Sequence, residues 1–462
     1  MYIQQLYTNC LAEAAYYIES NGEAAIIDPL RETEPYEQLA KERGASIKYV
    51  FETHFHADFI SGHIDLAAKT GAHIIYGPTA KAGYDIIVAK DEQLFKLGDI
   101  HIKVLHTPGH TMESSCFLVI DEKGNEHSIF TGDTLFIGDV GRPDLAVKSD
   151  LSREDLARHL YQSLNEKIVP LKDHVLVYPA HGPGSQCGKA MSQETQSTIG
   201  VQKQTNYALN TKSEDDFVEQ VVCGLNLPPQ YFPKNAQINK EGYNKSIDAI
   251  LQDANRPLSV EAFELEKNQK DTIIIDSRTA TNFSSGFIPG SINIGLDGFF
   301  AVWVGTLIEN LNSPILLVTK KGEEEKTALR LARVGYENVI GYLDGGIESW
   351  KASNKEVSIV ENICPAKFIE NAVGQAILDV RKESEYEAGH IDQATNVPLA
   401  NIEKQLNTLD SSRTYYIYCK GGYRSMIAAS ILKKNGFNKL INVKKGYDAV
   451  IDPSKNCCSL TS

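Results

Sequence analysis

Thr53-His54-Phe55-His56-Ala57-Asp58 lies in the loop after the apolar run Tyr49-Val50-Phe51. Two imidazoles spaced two apart, with a carboxylate two further on, are the side chains that hold a transition metal. Their setting, a loop leaving a β-like run, recurs outward along the chain. Ligand-type residues stand in the same way in Thr107-Pro108-Gly109-His110-Thr111, Thr131-Gly132-Asp133-Thr134 and Tyr178-Pro179-Ala180-His181-Gly182. Tyr16-Tyr17-Ile18, Ala24-Ala25-Ile26-Ile27, Ile102-Lys103-Val104-Leu105 and Val175-Leu176-Val177-Tyr178 read as further strands by composition and length. Loops that all leave strand ends converge at one end of a sandwich of sheets. A helix is expected from Ser152, with Asp155 as its capping-box partner. Residues 189 to 255 are more polar and read as helices around the breaker Leu227-Pro228-Pro229-Gln230-Tyr231-Phe232-Pro233.

The remainder of the chain is an internal repeat. Ile273-Ile274-Ile275-Asp276-Ser277-Arg278 matches Ala376-Ile377-Leu378-Asp379-Val380-Arg381, and Gly286-Phe287-Ile288-Pro289-Gly290 matches Gly389-His390-Ile391-Asp392-Gln393. Ile315-Leu316-Leu317-Val318-Thr319 matches Tyr415-Tyr416-Ile417-Tyr418-Cys419, and Gly335-Tyr336-Glu337-Asn338 matches Gly436-Phe437-Asn438-Lys439. The offset stays at 100 to 103 residues. That is too long for a solenoid unit and right for two copies of a small α/β domain.

A length of 462 residues suggests more than one core, at roughly 150 residues per domain. The net charge of -14 argues against nucleic acid or an anionic membrane as the partner. Eight cysteines at irregular spacings make no disulfide framework. The amino terminus shows no targeting signal, and no run approaches the ~20 apolar residues of a bilayer span. The expectation is a cytoplasmic protein with reduced thiols.

Within the second repeat, Cys419-Lys420-Gly421-Gly422-Tyr423-Arg424-Ser425 lies between the apolar run Tyr416-Ile417-Tyr418 and a helical pattern starting near Met426. A loop entering a helix offers free backbone N–H groups and the positive end of the helix dipole, which stabilise a thiolate or persulfide. Gly421 and Gly422 let the backbone curl around the sulfur, and Arg424 is placed to pair with an anionic substrate. The plainer reading of Cys419 is a small core residue at a strand end. In the first repeat Thr319 takes the place of the cysteine, followed by Lys320-Lys321-Gly322-Glu323-Glu324-Glu325, whose acidic run repels anions.

Cys419 through Ser425, with Asp379-Val380-Arg381, His390-Ile391 and Lys445-Gly446-Tyr447, resembles the rhodanese family over about 360 to 455. The resemblance implies that Cys419 accepts and donates sulfane sulfur, with Arg424 in the catalytic set and Lys420, Gly421, Gly422, Tyr423 and Ser425 around the substrate. The first repeat, about 258 to 355, looks like a rhodanese fold without sulfur transfer and with a packing role. Residues 1 to about 190 resemble the metallo-β-lactamase superfamily.

Phe59 departs from the binuclear hydrolases of that superfamily, which carry a metal-binding histidine after the aspartate. The ligand set that then remains, His54, His110 and Asp133, with His56, Asp58 and His181 around it, resembles the persulfide dioxygenase branch and implies one Fe(II) per chain. Gly141-Arg142-Pro143-Asp144 resembles the segment in which that branch places an arginine near the thiol carrier. Arg142 either contacts the substrate's anionic tail or forms a structural pair with a carboxylate. Cys187 either holds a persulfide at the mouth of the metal site or is a buried thiol at a helix start. Cys457-Cys458 reads as a frayed tail, or alternatively as a redox pair.

The expected architecture is therefore α/β. It comprises an αββα sandwich with a helical connection over 1–255, a degenerate rhodanese-like domain over 256–357, an active one over 358–455 with parallel sheets, and a tail over 456–462. The implied activity is oxidation of a low-molecular-weight thiol persulfide by O2 to sulfite, coupled to sulfur transfer that gives thiosulfate, in a homo-oligomer. The rivals are a binuclear zinc thioester hydrolase of glyoxalase II type and a sulfane-sulfur carrier or sensor.

Overall fold

A computed structural model describes residues 1–146, 151–225, 227–452 and 454. The paired Cys457 and Cys458 lie outside the described residues. The chain divides into two compact units, one over Met1–Ile247 with Ala332–Gly335, the other over Asp248–Leu331 and from Tyr336 onward.

The first unit is built on two six-stranded sheets. One is formed in sequential order by β1 (Tyr2–Thr8), β2 (Glu13–Ser20), β3 (Glu23–Ile27), β4 (Ser46–Phe51), β5 (His73–Tyr76) and β6 (Ile87–Val88). The other runs β12-β11-β10-β9-β8-β7, from β7 (Leu94–Leu97), β8 (Ile100–His106), β9 (Ser115–Ile120), β10 (Glu126–Gly132), β11 (Leu176–Pro179) and β12 (Ser197–Thr198). Alternation along β2 explains the layering. Tyr16 and Ile18 pack with Phe51, Phe117 and Phe130 in one core, while Ala15 and Tyr17 pack with Tyr36, Ala40 and Leu66 in another. Those last three lie on α1 (Glu34–Arg43) and α2 (His63–Thr70). Beyond the second sheet, Leu118, Ile129 and Val177 meet Leu160 of α3 (Arg153–Ser163) and Phe217. Strands buried on both faces between helices make the αββα sandwich. The α3 start carries the capping box read from Ser152 and Asp155. The last two residues of the breaker open a helix over Phe232–Glu241, with proline in its first turn where no N–H is needed.

The second unit contains two five-stranded sheets of the same topology. The first, ordered β13-β17-β16-β14-β15, comprises β13 (Pro257–Leu258), β14 (Ile273–Asp276), β15 (Ile292–Asn293), β16 (Ile315–Val318) and β17 (Val339–Leu343). The second, β18-β22-β21-β19-β20, comprises β18 (Glu361–Ile363), β19 (Ala376–Asp379), β20 (Ala394–Asn396), β21 (Tyr415–Tyr418) and β22 (Leu440–Val443). Every pairing in both sheets is parallel. The repeated sequence thus folds twice into the same parallel α/β layer, as expected.

Candidate metal centre and sulfur-binding loop

Each ligand-type residue leaves the end of a strand. His54, His56 and Asp58 follow β4, His110 stands in the connection from β8 to β9, Asp133 follows β10, and His181 follows β11. All are buried. Asp133 is the hub: its Oδ2 lies 3.3 Å from His110 Nε2 and 4.0 Å from His54 Nε2, and its Oδ1 lies 3.5 Å from His181 Nε2. His181 Nε2 is also 3.4 Å from Asp58 Oδ2.

The Nδ1 of each histidine is engaged on the far side of the ring: His54 with Thr53 Oγ1 at 3.0 Å, His110 with the Arg142 carbonyl at 2.8 Å, His181 with the Ala12 carbonyl at 3.1 Å. Thr53 Oγ1 donates to Asp28 at 2.8 Å, so it accepts from His54. Those contacts place the proton on Nδ1 and aim the Nε2 lone pairs at Asp133, the tautomer a metal needs. Burial also holds the His54 imidazolium pKa well below its usual value, with the neighbouring histidines adding to the effect. Both Asp133 oxygens, one Asp58 oxygen and His181 Nε2 lack any hydrogen-bond partner. Buried acceptors without partners are costly, and a cation among them supplies what is missing. The donor set therefore fits a metal held by His54, His110 and Asp133. Gly141 permits this approach, since a β-carbon there would come 2.0 Å from the Asp133 carbonyl and 3.0 Å from His110 Nδ1.

His56 behaves differently. Its Nε2 faces Asp28 Oδ1 at 3.1 Å and Glu52 Oε2 at 3.5 Å, and its ring lies 4.4 Å from that of Phe59. Burial disfavours its charge, but the two carboxylates outweigh it and push the pKa up to about 9. Sequence reading missed these carboxylates. Asp28 directly follows β3 and Glu52 directly follows β4, so the signal lay beside the quoted motif.

Arg142 and Cys187 each admit two readings from sequence. Arg142 grips Asp144 through Nε at 2.6 Å and Nη2 at 2.7 Å and donates to the Gln186 carbonyl at 3.2 Å, which is the structural pairing. Its backbone carbonyl orients His110. Cys187 is a buried thiol, as one of its two readings expects, but not at a helix start. It is buried in the irregular segment between β11 and β12, with its sulfur within 4.8 Å of the ligand atoms of Asp133 and His181. Burial and then the Asp58 and Asp133 charges push its thiol pKa well up. A cavity of about 750 Å³ reaches His110, lined by Phe55 and Met112 and, from the helix over Phe232–Glu241, Phe232 and Lys240. The helix over Phe232–Glu241 was not foreseen as its wall.

Cys419 leaves β21 and is buried. The Gly422 N–H donates to its sulfur at 3.1 Å, and Ser425 Oγ lies 3.5 Å away. A twelve-residue helix, Tyr423–Lys434, begins directly after, aiming its positive end at the sulfur. Arg424 is committed to Glu385 through two N–H donors at 2.6 and 2.8 Å. That pair anchors the start of the helix to the segment carrying Glu385. Tyr423 is fastened at its hydroxyl to the Gly295 carbonyl of the first repeat at 2.8 Å. Lys420 and Gly421 are exposed. In the first repeat Thr319 stands buried at the end of β16.

Comparison with known proteins matches residues 8–181 to the metallo-beta-lactamase superfamily. The human mitochondrial persulfide dioxygenase ETHE1 is 34% identical over 209 residues, 45% of this chain and 73% of that protein. This chain belongs to the metallo-beta-lactamase superfamily. Residues 259–353 and 366–452 each match the rhodanese-like domain, so the superfamily core is followed by two such domains. A probable hydroxyacylglutathione hydrolase of Schizosaccharomyces pombe is 30% identical over 39% of this chain, and a second is 32% identical over 34%. The chain spans only 66% and 58% of their lengths. A solved metallo-beta-lactamase of Staphylococcus aureus is 32% identical and covers 74% of this superfamily member and 98% of its own chain, with a TM-score of 0.64. Among the described residues no helix is long and apolar enough to cross a membrane.

Proposed function

We propose that this chain is an iron-dependent persulfide dioxygenase joined to a sulfurtransferase. The observation that carries the reading is the three-residue set His54, His110 and Asp133 beside a cavity, with His56 Nε2 facing Asp28 and Glu52 and Phe59 unable to ligate. Held by His54, His110 and Asp133, an Fe(II) ion would supply O2 activation and Lewis acidity. The chain's own residues do the rest. The Arg142 carbonyl and Thr53 hydroxyl fix the ligand tautomers, and Phe55, Met112 and Phe232 give the thiol carrier an apolar wall. Overall, one persulfide, one O2 and one water give one thiol and sulfite with two protons.

Cys419, charged as a persulfide, then passes its outer sulfur to sulfite. The cysteine S–S bond breaks, thiosulfate leaves, and the electron pair stays on the Cys419 thiolate, where the Gly422 N–H receives it. Tethering the sulfite consumer to its source raises the effective concentration.

The test is O2 uptake by anaerobically purified, iron-loaded protein given glutathione or coenzyme A persulfide, with sulfite and thiosulfate quantified together. Uptake with thiosulfate as the main product is expected, shifting to sulfite in Cys419→Ser. No uptake at full iron occupancy overturns the reading. One observation favours a second reading, hydrolysis of a hydroxyacylglutathione thioester. His181 also converges with Asp58 and Asp133 Oδ1, and His56 lies in reach of Asp58 and His181, as a second metal would require. Two zinc ions per chain with thioesterase turnover and no O2 uptake would select it.

A further inference from the structure

A cavity of about 350 Å³ opens beside the sulfur-binding loop. Gly421, Gly422 and Tyr423 of the loop line it, the first repeat contributes Thr279 and Thr281, and the second contributes Lys444 and Lys445. Asp297 adds one carboxylate. Sulfite and thiosulfate have few heavy atoms, whereas a cavity of this size suits a small organic molecule.

The internal repeat shows what is particular about this wall. The first repeat turns from its strand into the next helix through Asp344-Gly345-Gly346, the second through Lys444-Lys445-Gly446. The two turns are equivalent. Gly346 faces the Thr319 carbonyl and Gly446 the Cys419 carbonyl. The residue before each has left-handed backbone, Gly345 at φ 72° and Lys445 at φ 57°. Glycine takes that conformation freely, whereas a residue with a β-carbon is strained in it. Strain retained beside a reactive loop points to a use for the side chain. Where the repeat lacking the cysteine has a carboxylate and a hydrogen, the repeat carrying Cys419 has two ammonium groups.

We propose that this cavity binds the anionic body of a low-molecular-weight thiol persulfide, with its carboxylate or phosphate groups on Lys444 and Lys445. The inference rests on the reading of Cys419 as sulfur acceptor and names what charges it. The Cys419 thiolate attacks the outer sulfur of the bound persulfide. A new S–S bond forms at Cys419, that of the carrier breaks, and the electron pair departs on the carrier thiolate with no oxidant consumed.

The experiment follows anaerobic loading of Cys419 in the full chain by the mass gain of one sulfur. Glutathione persulfide presents carboxylates, coenzyme A persulfide phosphates, and 2-hydroxyethyl persulfide no anionic group on its body. In the double variant Lys444→Asp, Lys445→Gly, which installs the turn of the first repeat, kcat/KM for the anionic donors relative to the neutral one falls roughly tenfold, as for about two lost charge contacts. The single variant Lys445→Gly, whose backbone favours the native turn, shows a smaller fall in the same ratio. The donor with the larger loss distinguishes carboxylate from phosphate recognition. An unchanged ratio in both variants overturns the proposal while leaving Cys419 as acceptor. Failure of the wild-type Cys419 to load from any donor overturns the acceptor reading itself, and the cavity's role with it.

Discussion

The Arg424 guanidinium holds the Glu385 carboxylate through two N–H donors, at 2.6 and 2.8 Å, across a gap of 39 residues in sequence. This pair fastens the start of the helix behind Cys419 to the segment following β19. Geometry of this bidentate kind is the strong form of a charged hydrogen bond.

Glu385→Gln keeps the shape and removes the charge. Because the pair is partly exposed, the expected loss is ~1–2 kcal/mol, with slower sulfur loading of Cys419. Burial raises the Glu385 pKa, but Arg424 outweighs it and the net value is lowered. A depressed folded-state pKa gives stabilisation that is present above the unfolded value near 4.3 and disappears as pH falls through the folded one. Urea midpoints of the wild type and Glu385→Gln should therefore differ at neutral pH and converge below about pH 4.

Asp133→Asn removes the hub carboxylate shared by His54, His110 and His181. Saturating Fe(II) or Zn(II) at about 100 times its Kd stabilises a folded site by ~2.7 kcal/mol. The wild-type first unit should gain several degrees in unfolding temperature on metal addition, and chelation should reverse this. The variant should show almost no gain, and metal analysis of the purified protein should find it empty.

Gly446→Ala places a β-carbon 2.0 Å from the Cys419 carbonyl at a φ of 56°. A clash with backbone in left-handed geometry is expected to cost ~2–4 kcal/mol and to displace the cysteine. Gly421→Ala, whose β-carbon meets nothing within 4 Å, is the contrast and should change stability by less than ~1 kcal/mol. Denaturation of the two variants with sulfur loading in parallel checks both.

Thr319→Cys restores the missing sulfur of the first repeat but not its surroundings. Glu323, Glu324 and Glu325 follow where the second repeat has Tyr423, Arg424 and Ser425. Negative charge there disfavours both a thiolate and an anionic donor. Mass spectrometry of a Thr319→Cys, Cys419→Ser double variant should find no sulfur gained at position 319 from glutathione persulfide.

Several strands and the repeated α/β domain were legible in the chain because their signals are local, while the αββα layering and the parallel sheets came from the resemblance of the motifs to known families. The strands at Tyr16–Ile18, Ala24–Ile27, Tyr49–Phe51, Ile102–Leu105 and Val175–Tyr178 show as short apolar runs beside loops of glycine, proline and ligand-type residues, and the later domains show as a repeat. Short strands such as Ile87–Val88 and Ser197–Thr198 carry no such signal. The convergence of His54, His110, Asp133 and His181 followed from strand ends sharing one side of a sandwich. Ionic partnership was not legible. His56 finds Asp28 and Glu52, Arg424 takes Glu385, and Cys187 is enclosed near Asp133. Strand propensity acts between neighbours in sequence and survives any arrangement of the rest. A charge is assigned its partner by distance and burial, which exist only once the sheets have packed.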